Sequence, residues 1–131
     1  MLMNGKEWLA KMANKYGKVW GTTFPLLVTP TIEIHHAFIK GNFKCSEHKH
    51  EFKWNGFFCI SGTINIHVRK NDYELVDITT LYAGDFTSVR PNEYHWFETS
   101  EEDEAEILEI YYPQHIMDDI VRKTVGGYIG E

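Results

Sequence analysis

The order of apolar and polar positions changes character once along the chain. Between residues 4 and 17, Trp8, Leu9, Met12, Ala13 and Tyr16 recur at helical spacing, with Asn4 able to cap the segment and Gly17 to end it, which predicts a short N-terminal helix. From Val19 onward the pattern consists of short runs rich in β-branched and aromatic residues, punctuated by Gly, Pro, Asn and Asp. Several runs alternate with period two: Ile32, Ile34, His36 and Phe38 share one face, as do Ile64, Ile66 and Val68, with Asn65, His67 and Arg69 opposite. Strands are expected over Thr63 to Arg69, Tyr73 to Thr80, Phe86 to Arg90, Tyr94 to Glu98 and Glu106 to Tyr112, the first two joined as a hairpin through Lys70-Asn71-Asp72. Pro113 ends the last strand, and residues 115 to 123 read as a short helical segment before Gly126-Gly127. The fold class is therefore all-β, an antiparallel barrel or sandwich over about residues 19 to 112.

Length makes this one domain, residues 1–131, because 131 residues suffice for one continuous core but not for two. The formal net charge of −6 and the lack of any Lys/Arg run argue against a nucleic-acid partner, which requires a basic footprint. Glu101 to Glu104 reads as a solvated acidic loop. No run approaches the ~18 apolar residues of a membrane span, and the N-terminus lacks the apolar core and cleavage site of a secretory signal. A cytoplasmic location with no membrane partner is the expectation. Cys45 and Cys59, with no further pair, are expected to be free thiols.

The chemistry concentrates in Glu47-His48-Lys49-His50-Glu51-Phe52-Lys53-Trp54-Asn55. Histidines at i and i+2 on an extended chain project to the same side, so His48 and His50 can approach one ion, and His95, on a second strand, supplies a third imidazole. Three imidazoles suit a borderline divalent metal: Fe, Mn, Zn, Ni or Co. The alternative is two surface or packing histidines.

The surrounding pattern resembles the cupin family. Its first motif places a glycine before His-x-His, an acid after three or four residues, and a glycine six residues later; here these fall at Gly41, His48, His50, position 55 and Gly62. Its second motif has a counterpart from Gly84 to His95, with Arg90 at the family's proline position and Asn92 at the glycine position, where Asn tolerates positive φ. Thr99 stands where that motif closes on Asn. The resemblance implies a double-stranded β-helix (jelly-roll) barrel, a homodimer, and a metal held by His48, His50, His95 and the residue at 55. That residue is Asn55 rather than the family's Glu, so the site is either a three-His centre with weak amide or water ligands, or one that has lost its metal. By strand parity Glu51 and Glu98 point away from the histidines and do not replace the acid.

A narrower resemblance links His48-x-His50-x-x-Lys53 and the tail around Met117 to Lys123 to cupins related to mannose-6-phosphate and lyxose isomerases. It implies catalytic or substrate-binding roles for Lys53 and for Arg122, whose guanidinium suits a carboxylate or phosphate; pairing of Arg122 with Asp118 or Asp119 is the bland alternative. The function implied is a metal-dependent isomerase or epimerase of a sugar or sugar phosphate. A non-catalytic module binding a sugar or oxo-acid and an iron-dependent dioxygenase remain open beside it. His67 is expected to face away from the metal, and His36, which shares a face with Ile34 and Phe38, to line the pocket.

Overall fold

The computed structural model describes residues 17–70, 75–113 and 121–130. The chain forms β1 (Gly17–Lys18), β2 (Gly21–Val28), β3 (Glu33–Ile39), β4 (Trp54–Lys70), β5 (Leu75–Tyr82), β6 (Phe86–Val89), β7 (His95–Glu98) and β8 (Ala105–Tyr112). All pairings among these strands are antiparallel, in the order β1-β2-β3-β8-β4-β5, with β6 and β7 also on β4. The expected barrel is the observed one. The predicted helix over 4–17 lies outside the described residues except for Gly17, which opens β1; of the predicted segment 115–123, residues 121–123 are described and are not helical. Among the described residues no helix is long and apolar enough to cross a membrane.

β4 organises the molecule. Its first half, from Trp54, pairs with β8 and β6, whereas its second half, from Thr63, pairs with β5 and β7. The switch occurs at a register shift between Cys59 and Ser61, followed by Gly62 at φ 78°. A bulge with a left-handed residue bends a strand sharply enough to pass it from one wall of the barrel to the other. Sequence analysis begins this strand at Thr63, whereas backbone pairing continues upstream through Gly62 and Ser61.

The core fills the space between the walls with Ala37, Ile39, Phe57, Ile64, Ile66 and Ile107, all essentially inaccessible to solvent. Each large aliphatic or aromatic side chain buried this way contributes about 1.5–3 kcal/mol. Trp20 packs edge-on to Phe97 with centroids 5.0 Å apart and closes the core beneath β7. Alternation along β3 holds as expected, but its sides differ from a simple reading. The inward row is Glu33, His35, Ala37 and Ile39; the more apolar row of Ile34, His36 and Phe38 faces outward. There His36 lies against Phe24 and Phe38 and bonds Glu106 at 2.7 Å, so His35, not His36, lines the interior.

Candidate metal centre

The segment carrying His48 and His50 is extended but is not a regular strand. It is tied to β7 by His48 N–H donating to the His95 carbonyl (3.0 Å), His95 N–H donating to the His48 carbonyl (2.8 Å), and Asn92 N–H donating to the His50 carbonyl (2.7 Å). Asn92 adopts φ 68°, the conformation the turn into β7 demands. At the other end, Thr99 Oγ1 donates to the Lys40 carbonyl (2.6 Å) and accepts from Phe43 N–H (3.1 Å), which anchors the start of the same segment. The backbone therefore fixes His48 directly opposite His95.

Three imidazoles converge as a result. The candidate ligand atoms of His48, His50 and His95 all lie within 4.8 Å of one another. His48 Nδ1 donates to the Ser46 carbonyl at 2.7 Å and His95 Nδ1 to the Glu93 carbonyl at 2.9 Å, so each ring is held in the tautomer that leaves Nε2 with a free lone pair. His50 Nε2 is buried without any hydrogen-bond partner. Burial, reinforced by the charges of His48, Lys53 and His95, lowers the His50 pKa to about 4, and burial also lowers that of His95 despite the Glu93 carbonyl. Imidazole nitrogens gathered this closely, one of them buried and orphaned, fit a divalent metal, and the three histidines are positioned to bind one.

Asn55 is buried on the first half of β4, and its Oδ1 lies 3.0 Å from His95 Nε2. Lys53 stands with its ammonium 4.1 Å above the Tyr111 ring and reaches the interior cavity. Arg122 lies exposed beyond β8 and is not among the cavity-lining residues. Asp118 and Asp119, its alternative partners, lie outside the described residues, as does His115. Glu51 is exposed, and Glu98 bonds His67 and Trp96 on the outer surface, so neither carboxylate joins the imidazoles. His67 stacks on Trp96 at 4.9 Å, facing away from the metal centre.

A carboxyl does face the interior, from β8. A cavity of about 400 Å³ opens beside His48, lined among others by Lys53, His35, Glu109 and Tyr111. Glu109 follows Ala105 and Ile107 on the inward row of β8, and pairs across the sheet with His35 and Phe57. Tyr111 O–H donates to Glu109 Oε2, and the Tyr111 ring packs edge-on to His50 at 5.4 Å. Burial raises the Glu109 pKa above the usual carboxylate range against the lowering effect of the Tyr111 hydroxyl, and burial, then Glu109, raises that of Tyr111. Sequence analysis did not single out Glu109 or Tyr111, although the alternation Ala105, Ile107, Glu109, Tyr111 places them inside: a charged residue continuing a buried row was the available signal.

The family model described as a cupin domain matches residues 35–111, more than half of the chain. Similar solved structures include KdgF from Halomonas sp., at 13% identity over 76% of this chain and 84% of that one with a TM-score of 0.63. A conserved protein with a double-stranded β-helix domain from Klebsiella pneumoniae is 17% identical over 77% of this chain and 86% of that one, TM-score 0.63. Oxalate decarboxylase of Bacillus subtilis, a protein with Mn(II) centres, is 16% identical over 71% of this chain and 25% of that one, TM-score 0.62. At these identities the likeness concerns the fold. No curated protein matches the sequence.

Proposed function

This chain belongs to the cupin family, and from that premise we propose that it is a metal-dependent isomerase or epimerase of a small sugar-like hydroxycarbonyl compound. His48, His50 and His95 would hold the ion, with Asn55 Oδ1 as a neutral fourth donor. A bound divalent ion supplies Lewis acidity toward a carbonyl and its neighbouring hydroxyl. The observation that carries the reading is Glu109, an inward-facing carboxyl in the same cavity as His48.

Moving a proton between adjacent carbons, or from one face of a carbon to the other, needs a group that takes the C–H proton and returns it. A carboxyl whose pKa burial has raised towards neutrality serves better than an ordinary one, because its conjugate base is stronger. Tyr111 fixes Glu109 by donating to Oε2, which leaves Oε1 without that bond.

The test is proton exchange. Protein loaded in turn with Mn, Fe, Zn, Ni or Co and incubated in D2O with pentoses, hexoses and their acids should incorporate deuterium at the carbon next to the carbonyl, followed by NMR. Glu109→Gln should lower that exchange by about 10²-fold or more. If the wild-type protein binds such compounds without exchange, it is a binding module. Oxygen consumption without exchange would move it to the dioxygenases.

A further inference from the structure

The cations and carboxyls of the cavity do not pair off with one another. Its wall carries two ammonium groups, Lys18 and Lys53, two carboxyls, Glu33 and Glu109, and the imidazoles of His35 and His48. Glu33 is engaged by His35 at 3.1 Å, and Glu109 by the Tyr111 hydroxyl. Among the described residues no carboxylate lies within ion-pair distance of Lys53. Its ammonium is instead held over the Tyr111 ring face, which positions a cation without neutralising it. The adjacent metal centre has only neutral donors, three imidazoles and the Asn55 amide, so a bound ion would keep its full double charge.

We propose that the cavity selects an anionic ligand, a hydroxycarbonyl compound bearing a carboxylate, and that Lys53 is the specificity-determining residue that receives this carboxylate. The inference rests on reading the cavity as the substrate site and names its substrate class. The Lys53 ammonium is a point charge on a flexible stem, suited to one carboxylate, and no arginine fork of the kind that holds a phosphate bidentately lines the cavity. The position of Lys53 over Tyr111 places that carboxylate at the end of the ligand nearest Glu109 and His50, both of which contact the same tyrosine. Asn55 then has a chemical rationale: with an anionic ligand bringing its own negative charge, a neutral donor at position 55 avoids crowding two anions around one ion.

The experiment compares D-glucuronate with D-glucose, which differ in that the acid has a carboxylate where the sugar has a hydroxymethyl, and includes glucose 6-phosphate as the phosphate arm. Binding is measured by calorimetry on Mn-loaded and on metal-free protein, for wild type, Lys53→Met and Lys53→Arg. The wild type should bind glucuronate at least about tenfold more tightly than glucose in both forms. Lys53→Met should bring the two within about twofold, chiefly by weakening glucuronate, and Lys53→Arg should keep most of the preference. The metal-free arm removes direct carboxylate–metal bonding as the source of any preference. Equal or undetectable binding of acid and sugar, a stronger preference for the phosphate, or a preference that survives Lys53→Met overturns the proposal. None of these outcomes depends on turnover, so failure of the isomerase reading, seen as absent deuterium exchange, is separable from failure of this one.

Discussion

His95 Nε2 and Asn55 Oδ1 face each other across 3.0 Å, and both atoms are lone-pair donors. His95 has committed its one proton to the Glu93 carbonyl through Nδ1, and burial disfavours a second. Two donors bound at ~2.1 Å to one ion and about a right angle apart stand about 3 Å from each other, so this separation suits shared coordination.

If Asn55 is a ligand, replacing its neutral oxygen with an anionic one should tighten metal binding. Asn55→Asp and Asn55→Glu are expected to lower the dissociation constant for Mn or Zn, and Asn55→Ala to raise it by about tenfold or more. His95→Ala should abolish stoichiometric loading. Metal content after dialysis, with competition titration against a chelator, measures each. Were the amide reversed, with Nδ2 donating to His95, the acidic variants would gain no affinity, and that result would remove Asn55 from the ligand set.

Glu109→Gln should stabilise the protein while disabling it. The unfolded carboxyl titrates near 4.5, and burial raises it in the native state. Between those two values the folded chain holds a proton that the unfolded chain has released. Native stability therefore falls as pH rises through that window. Gln has no proton to lose and keeps an acceptor for the Tyr111 hydroxyl. The gain in thermal midpoint over wild type should thus be larger at pH 8 than at pH 5. Equal gains at both pH values would mean that Glu109 is not buried as an ionisable group.

How much of this was legible in the sequence depends on what each feature needs. Period-two alternation and turn residues suffice for strand type, and His48-x-His50 with His95 suffices to nominate a metal centre, because both are local patterns. The identity of the inward face is not local: on β3 the apolar row of Ile34 and Phe38 faces out because the register with β8 sets Ala37 beside the buried Ile107 and Ile39 beside the buried Ala105. Glu109 was missed for a related reason. A carboxylate was sought near the histidines along the chain, whereas β8 brings one from 59 positions beyond His50 across the sheet. The continuity of β4 through Ser61-Gly62 is likewise a property of its partners, since β8 pairs with both sides of the bulge.

The two thiols should be chemically quiet. Cys59 is inaccessible to solvent, and burial raises its pKa; Cys45, half-buried with its sulfur accepting from Phe97 N–H at 3.2 Å, is pushed up to about 12, chiefly by burial. The thiolate is the reactive form, so alkylation by iodoacetamide at pH 8 should be about 10²-fold slower in the native protein than in denaturant. Rapid labelling of Cys45 in the folded state, located by mass spectrometry, would show that the cavity wall opens.

Gly62 should matter more than any other glycine of β4, because the bend it permits sets two parts of the site in register. At φ 78° an L side chain is strained, and a Cβ there would overlap the carbonyl oxygen of Glu104, the residue just before β8. Gly62→Ala should therefore cost about 2–4 kcal/mol, combining the left-handed backbone penalty with overpacking. For a domain of this size the thermal midpoint falls by roughly 10 °C. The effect should reach the metal as well. Asn55 lies on the half of β4 before the bend, while His95 is carried by β7 on the half after it, so a distorted bend separates the two. Gly84→Ala is the control: φ is 92°, but a Cβ meets nothing within 4 Å, so only the backbone penalty of about 1–2 kcal/mol applies and metal affinity should not change. If the two variants lose the same stability and bind metal equally well, the bend at Gly62 does not set the register between Asn55 and His95.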